Sequence, residues 1–219
     1  MNLDAARHQM IGQQLRAWDV LDGRVLDVMG ALPREQFLPL ELRALAYADT
    51  DLPLGPGRRL AAPKLQGRAL QALLPQPTDE ALEIGSGSGY LTACLAALAG
   101  QVTSTESDSA MAVHSRDNLA AVGVGNATVL EGDGLSMEFP GRFDVICVNG
   151  SLPDDAGMLD RLRRLLKMGG RLFVVTGRPP IMQARRILRT GESEWSDATV
   201  FETCLPPLID APHTPEFVF

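Results

Sequence analysis

The sequence predicts an α/β protein, a three-layer domain on a mainly parallel sheet with a helical extension ahead of it. Two observations carry the prediction. Ala81-Leu-Glu-Ile-Gly-Ser-Gly-Ser-Gly-Tyr90 leads an apolar strand into a glycine-rich turn, and residues 90–98 continue as an apolar helix. Downstream, short apolar runs such as 143–148 suit strands buried on both faces, and they alternate with helical segments. Glycine lets the turn take positive φ and lets a ligand approach bare backbone. The helix start behind the turn presents free N–H groups.

The spacing at the turn discriminates between ligands. A dinucleotide fingerprint needs Gly-x-Gly-x-x-Gly to seat a pyrophosphate. Here Tyr90 stands where the last glycine should be, and the pattern is Glu83-x-Gly85-x-Gly87-x-Gly89. This resembles motif I of Rossmann-like class I methyltransferases. Their ligand, S-adenosyl-L-methionine, carries a sulfonium and an ammonium and no phosphate. A carboxylate beside the loop suits such a ligand and would repel a pyrophosphate. The resemblance implies cofactor contacts from Glu83, Gly85, Ser86, Gly87 and Gly89.

Composition narrows the function classes. The 219 residues allow one large domain, or a domain with an extension. Hydrophobic residues at 45% and charged residues at 21% are those of an ordinary globular protein. A net charge of −7 and a pI near 5.0 argue against a dedicated nucleic-acid binder. Cys94, Cys147 and Cys204 are odd in number and scattered, without disulfide or metal spacing, so a reducing cytoplasm and no metal are expected. The N-terminus lacks a signal-peptide core, and no apolar run is long enough to span a membrane. His8, His114 and His213 are isolated from any nucleophile.

Taken in order, residues 4–17 read as a polar helix with Met10, Ile11 and Leu15 on one side. Asp22 caps a second helix in which Val25, Leu26 and Met29 recur at helical spacing. Residues 32–39 form a short turn-like segment, and 46–57 a loop punctuated by Pro and Gly. Residues 63–74 form a helix with Pro63 in its first turn. Strands follow at 81–84, 102–106, 127–130, 143–148 and 171–176. Helices lie at 90–98, from a cap at Ser107 or Asp108 to 122, and at 155–166, the last closed by Gly169-Gly170. Asn149-Gly150 leaves the carboxyl end of a buried strand, where ligands collect or the chain simply turns. Residues 182–189 fit a strand or a short helix on pattern alone. The Pro-rich tail 206–219 is expected to order in part by packing Phe217 and Phe219.

Several ordered motifs resemble the protein-L-isoaspartate O-methyltransferase family. They are Gln14-Leu15, Asp22-x-Arg24-Val25-Leu26-x-x-Met29, Leu32-Pro33-Arg34-Glu35-x-Phe37-Leu38-Pro39, Ala46-Tyr47-x-Asp49, Leu52-Pro53-Leu54-Gly55-x-Gly57 and Glu-Ile-Gly-Ser-Gly-Ser-Gly-Tyr. Together they cover most of residues 10–176. The resemblance implies a mainly parallel seven-stranded sheet ending in an antiparallel hairpin, with strands at 182–189 and 199–205. It divides the chain into an N-terminal helical extension with the substrate-side loop, residues 1–75, and a Rossmann-like cofactor-binding domain, residues 76–219, packed as one unit. It implies that Glu106, at the end of the second strand, takes the ribose hydroxyls. It places Asp133 and Gly134 against the adenine and Gln66 at the cofactor's amino-acid end.

The acceptor side departs from the family. Its pattern is Gly-x-Gly-Gln-Thr-Ile-Ser-Gln/Ala-Pro, whose serine hydroxyl is the key side chain. This chain reads Gly55-Pro56-Gly57-Arg58-Arg59-Leu60-Ala61-Ala62-Pro63. Ala61 stands at the serine position and Arg59 at the threonine position, so both hydroxyls are gone. Three readings stay open. Arg58 or Arg59 grips an isoaspartyl carboxylate instead, since a guanidinium pairs with one bidentately. A different acceptor is methylated. Or the chain binds the cofactor as a non-catalytic or assembly protein. Expected partners are a protein or peptide carrying a carboxylate, or another small acceptor, with no nucleic acid and no membrane; monomer and dimer are both open.

Overall fold

The computed structural model describes residues 2–153 and 156–211. Helix α1 (Leu3–Gln9) starts from Asn2, whose side chain accepts the Asp4 and Ala5 N–H groups. It continues through wider and tighter helical turns to Trp18 and stops at Asp19, which takes a left-handed φ of 57°. Asp22 accepts the N–H groups of Arg24 and Val25 and starts α2 (Gly23–Ala31), as its residue type dictates.

Residues 46–57 are not all loop. Leu52–Gly55 (β1) and Arg58–Leu60 (β2) pair antiparallel as a small separate sheet. Pro53, Gly55, Pro56 and Gly57 read as punctuation, yet they are the turn that closes the hairpin. Gly55 (φ 134°) and Gly57 (φ 71°) hold backbone angles that a side chain would strain. The hairpin leads into α3 (Pro63–Leu73), with Pro63 in its first turn.

The main sheet comprises β3 (Glu80–Ile84), β4 (Gln101–Glu106), β5 (Ala127–Glu131), β6 (Phe143–Leu152), β7 (Leu166–Arg178), β8 (Ile181–Arg189) and β9 (Trp195–Thr203). Its order is β5-β4-β3-β6-β7-β8-β9. Strands β3 to β7 run parallel, and β8 and β9 are antiparallel additions. The expected seven-stranded sheet and terminal hairpin are therefore present. Helices α4 (Tyr90–Leu98), α5 (Ser109–Ala121) and α6 (Ala156–Arg164) join β3 to β4, β4 to β5 and β6 to β7, and a loop without a helix joins β5 to β6. The last ends before the expected residue 166. Gly169 and Gly170 do not cap it but lie within β7, in an irregular stretch between the pairs Phe143↔Leu166 and Val145↔Arg171. A Cβ on Gly170 would stand 2.8 Å from the Lys167 carbonyl oxygen, so the bulge needs glycine there.

Alternation along β3 divides the core. Leu82 and Ile84 join the apolar layer of Ile146, Leu162, Leu172 and Val174. Ala81 joins the opposite layer, which is continuous from Met10, Met29 and Phe37 to Tyr90 and Leu95. Phe37 meets Tyr90 edge-on at 5.4 Å, so the extension packs directly on the helix behind the glycine turn. The expected packing of Phe217 and Phe219 lies outside the described residues.

Candidate active site

The sheet order reverses at β3, with β4 on one side and β6 on the other, and a crevice forms outside the carboxyl ends of such strands. A cavity of about 870 Å³, including space open to solvent, lies there. Gly85, Gly87, Glu106, Asp133 and Gly134 line the sheet wall, and Asn149 and Gly150 extend it at the end of β6. Arg58, Arg59 and Ala61 face them from the β1–β2 hairpin and the segment after it.

The glycine turn is held by backbone bonds. Gly85 and Ser86 both donate to the Thr105 carbonyl at 2.9 Å. The Gly87 N–H donates to Glu106 Oε2 at 2.9 Å, and Glu106 Oε1 accepts the Asp108 N–H at 3.2 Å. The turn and the strand-end acid are thus one unit. Asn149 Nδ2 donates to the Gly85 carbonyl at 2.9 Å and ties in β6. Asp133 Oδ1 accepts the Leu135 N–H at 2.9 Å. A Cβ on Gly134 would fall 2.2 Å from Thr105 Oγ1, so this part of the wall admits glycine alone.

Four residues expected at the cofactor are not among those that line this cavity. Ser86 is buried, and its N–H is spent on Thr105. Gly89 starts α4 at φ 89°, where a Cβ would stand 2.8 Å from Ser115 Oγ; its lack of a side chain brings α4 against α5. Gln66 is 2% exposed and accepts from Arg34. Glu83 is fully buried, and Oε2 accepts from Thr92 Oγ1 at 2.5 Å and Ser104 Oγ at 2.7 Å. The strand's two-residue period turns it toward α4 rather than the cleft. Burial pushes its pKa up to about 8, with a further push from Glu106, against the opposing pull of the Thr92 and Ser104 hydrogen bonds. It is therefore not the standing negative charge expected beside the turn.

The two arginines of the hairpin differ. Arg58, which lines the cavity, pairs with Asp108 at 3.1 Å, and Asp108 also caps α5 through the Met111 N–H. Arg59 is exposed, and no side-chain hydrogen bond or ion pair joins it to another described residue. Ala61 lines the cavity, and its carbonyl accepts from Arg34 Nη2 at 2.6 Å.

Two features were not anticipated as site residues. Arg34, in the turn-like segment, is fully buried beneath the acceptor side. A positive charge beside Glu35 in Leu32-Pro33-Arg34-Glu35 reads as a surface residue and gives no hint of that depth. The segment after β9 also returns to the cleft. Ser151 and Leu208 exchange backbone contacts, Ser151 donating to the Pro206 carbonyl and Leu208 to the Ser151 carbonyl, each at 3.0 Å. Leu208 Cδ2 lies 3.0 Å from where a Gly85 Cβ would be and 2.9 Å from that of Gly150. These three residues belong to distant parts of the chain, and no local pattern links them.

Known proteins match this architecture over nearly its whole length. The family model described as Protein-L-isoaspartate(D-aspartate) O-methyltransferase (PCMT) matches residues 6–211. A protein-L-isoaspartate O-methyltransferase 1 of Rhodopseudomonas palustris (strain HaA2) is 38% identical, covering 88% of this chain and 77% of the relative. A protein-L-isoaspartate O-methyltransferase of Magnetococcus marinus is also 38% identical, covering 92% and 86%. Among solved structures, a Plasmodium falciparum chain assigned as a protein-L-isoaspartate O-methyltransferase, in complex with S-adenosyl-L-homocysteine, superposes with a TM-score of 0.78. It covers 92% of this chain and 97% of that one at 20% identity. At that identity the superposition speaks for the fold.

Proposed function

The chain belongs to the protein-L-isoaspartate(D-aspartate) O-methyltransferase family of S-adenosyl-L-methionine-dependent methyltransferases, and from that premise we propose that it methylates a carboxylate, with isoaspartyl residues of proteins as the acceptor class. One observation carries the reading: the glycine turn, Glu106 and Asp133-Gly134 face Arg59 and Ala61 across a single cavity.

The residues fit an adenosyl ligand. Glu106 offers a carboxylate, already oriented by two N–H groups, where ribose hydroxyls need an acceptor. Gly134 keeps the wall bare where a flat ring would lie. Gly85, Gly87, Glu106, Asp133 and Gly134 would hold the cofactor, with Glu83, Ser86 and Gly89 supporting the turn from behind. When bound, S-adenosyl-L-methionine supplies a methyl group activated by positively charged sulfur.

The chain's own tasks are then to orient the acceptor and exclude water. A carboxylate is ionised at neutral pH and needs no general base. Arg59, whose side chain has no partner among the described residues, would hold it in a bidentate pair. Arg58 is committed to Asp108 and is left out of the grip. Ala61 contributes no hydroxyl, so orientation falls to Arg59. Leu205, Leu208 and Ile209 would supply the apolar wall.

The test is methyl transfer from labelled S-adenosyl-L-methionine to an isoaspartyl peptide, with S-adenosyl-L-homocysteine binding measured alongside. Transfer by the wild type is expected, and Arg59→Ala should lower kcat/KM by roughly 10- to 150-fold, the worth of a hydrogen bond to a charged group. Tight binding without transfer would overturn the isoaspartyl reading. The missing Ala61 hydroxyl would then favour a different acceptor, or a chain that binds the cofactor without turnover. No described helix is long and apolar enough to cross a membrane.

A further inference from the structure

Strand β6 is irregular where it reaches the cavity. It pairs with β3 as far as Ile84↔Val148 and with β7 as far as Cys147↔Phe173, and the ladder to β7 resumes at Ser151↔Val175. Residues 148–150 thus stand opposite Val174 alone, a bulge of the kind that re-aims a side chain beside an active site. The chain is tied down directly after it. Ser151 exchanges two backbone hydrogen bonds with the segment that follows β9, and Leu208 packs on Gly150, where a Cβ would meet Leu208 Cδ2 at 2.9 Å. Asn149 is the one polar side chain of the bulge, and it lines the cavity.

Hydrogen-bond chemistry fixes what Asn149 offers. A carbonyl oxygen only accepts, so the amide atom that meets the Gly85 carbonyl at 2.9 Å is the nitrogen. Oδ1 is the atom left over, and no group among the described residues donates to it. Its place in the sheet sets it away from the nucleoside end. Glu106 ends β4, and β6 lies two strands further along the order β5-β4-β3-β6, about 10 Å away. Leu205, Leu208 and Ile209 line the same cavity, so a ligand that fills this end displaces water from apolar surroundings. An amide oxygen shut off there needs an N–H or O–H partner and disfavours a bare carboxylate oxygen.

We propose that Asn149 determines acceptor specificity, its Oδ1 accepting the peptide N–H of the same residue whose carboxylate Arg59 holds. A guanidinium only donates and Oδ1 only accepts, so a ligand that uses both carries a carboxylate and an N–H. In an isoaspartyl residue the two sit on one carbon, since its own peptide N–H and its free carboxylate are both attached to Cα. In an aspartyl residue a methylene separates that carbon from the free carboxylate, so the two groups are spaced differently. The proposal rests on the isoaspartyl reading, and it assigns discrimination between the two linkages to a residue outside segment 58–61.

The test compares two acceptors in labelled methyl transfer by the full chain. One is an isoaspartyl peptide; the other is a depsipeptide of the same sequence in which an ester oxygen replaces that residue's N–H. The wild type should use the depsipeptide with a kcat/KM lower by roughly 5- to 150-fold, the cost of a buried acceptor left unpaired. Asn149→Ala should bring the two acceptors within about twofold of each other, chiefly by losing activity on the peptide. Its S-adenosyl-L-homocysteine affinity should fall by no more than about fivefold, the worth of the lost bond to Gly85. Should Asn149→Ala fail to fold, Asn149→Leu, of similar volume, decides by the same ratio. Equal use of both acceptors by the wild type, or a ratio that survives in the variant, would overturn the proposal. So would a loss of S-adenosyl-L-homocysteine affinity large enough to account for the lost activity, which would place Asn149 at the cofactor. A wild type that binds S-adenosyl-L-homocysteine and methylates neither acceptor would instead overturn the isoaspartyl reading, and the proposal with it.

Discussion

Gly134→Ala isolates the steric argument for the cavity wall. Gly134 has an ordinary φ, so the substitution carries no backbone strain. The added Cβ would lie 2.2 Å from Thr105 Oγ1 and 3.1 Å from both Thr105 Cβ and Ile84 Cγ2. Thr105 is 1% exposed, on a strand hydrogen-bonded on both sides, so it cannot step aside freely. Overpacking of this kind costs about 1–3 kcal/mol. The same displacement moves the wall, and S-adenosyl-L-homocysteine affinity should fall roughly tenfold for each 1.4 kcal/mol transferred to the site. Thr105→Ala removes the 2.2 Å contact and leaves two near 3.1 Å that small shifts relieve. The double variant should therefore sit within about 0.5 kcal/mol of Thr105→Ala alone, a coupling of about 0.5–3 kcal/mol. Gly141→Ala, with nothing within 4 Å of its Cβ, is the control and should change stability by no more than about 0.5 kcal/mol. Urea unfolding and ligand titration of the four variants read both quantities. Single costs that simply add in the double variant would refute the reasoning, because the clash would then not be with Thr105.

Glu83 gives a pH dependence of definite sign. Its folded-state pKa of about 8 stands above the ordinary 4.5, so its contribution is full below pH 4.5 and is lost as pH rises through 8. Across that window the wild type should lose up to about 1.4 kcal/mol per pH unit relative to Glu83→Gln; parallel denaturant midpoints for the two proteins at pH 5 and pH 8 would disprove the effect of burial. The Arg58–Asp108 pair is partly exposed, with side chains 21% and 37% accessible. Arg58→Ala should therefore weaken S-adenosyl-L-homocysteine binding by no more than about fivefold, and only at low salt. A large loss that persists at high salt would give Arg58 a direct ligand contact.

The parts of the fold legible in the sequence are those fixed by local physics. A Gly-rich turn between an apolar strand and an apolar helix has few other solutions, and α4 spans Tyr90–Leu98 as its pattern indicates. Asp22 and Asp108 cap helices because short acidic side chains reach free N–H groups. Strand β8 was ambiguous, since Met182, Ala184 and Ile187 suit either period, and only its neighbours in the sheet decide. The site was less legible. Glu83 and Glu106 are both strand acids near the turn, yet strand phase sends one to α4 and the other to the cavity. That phase depends on which face α4 covers, which is a tertiary fact. Arg34 and Leu208 reach the site from opposite ends of the chain, and nothing in their neighbours records the destination.

The departure at residues 58–61 is better understood as a division of labour than as the loss of one group. Two arginines replace two polar positions, but the structure gives them unequal freedom. Arg58 is held by Asp108, while the exposed Arg59 side chain has no ion pair among the described residues. A hydroxyl at position 61 would orient one acceptor oxygen by a single short hydrogen bond from a rigid segment. A guanidinium on a longer, exposed side chain can hold both oxygens but must give up more conformational freedom to do so. The expected consequence lies in the balance of kinetic constants: charge attracts the carboxylate and favours binding, whereas looser alignment lowers the chemical step. The rigid support beneath, in which Arg34 clamps the Ala61 carbonyl, is what such a substitution needs if alignment is to survive.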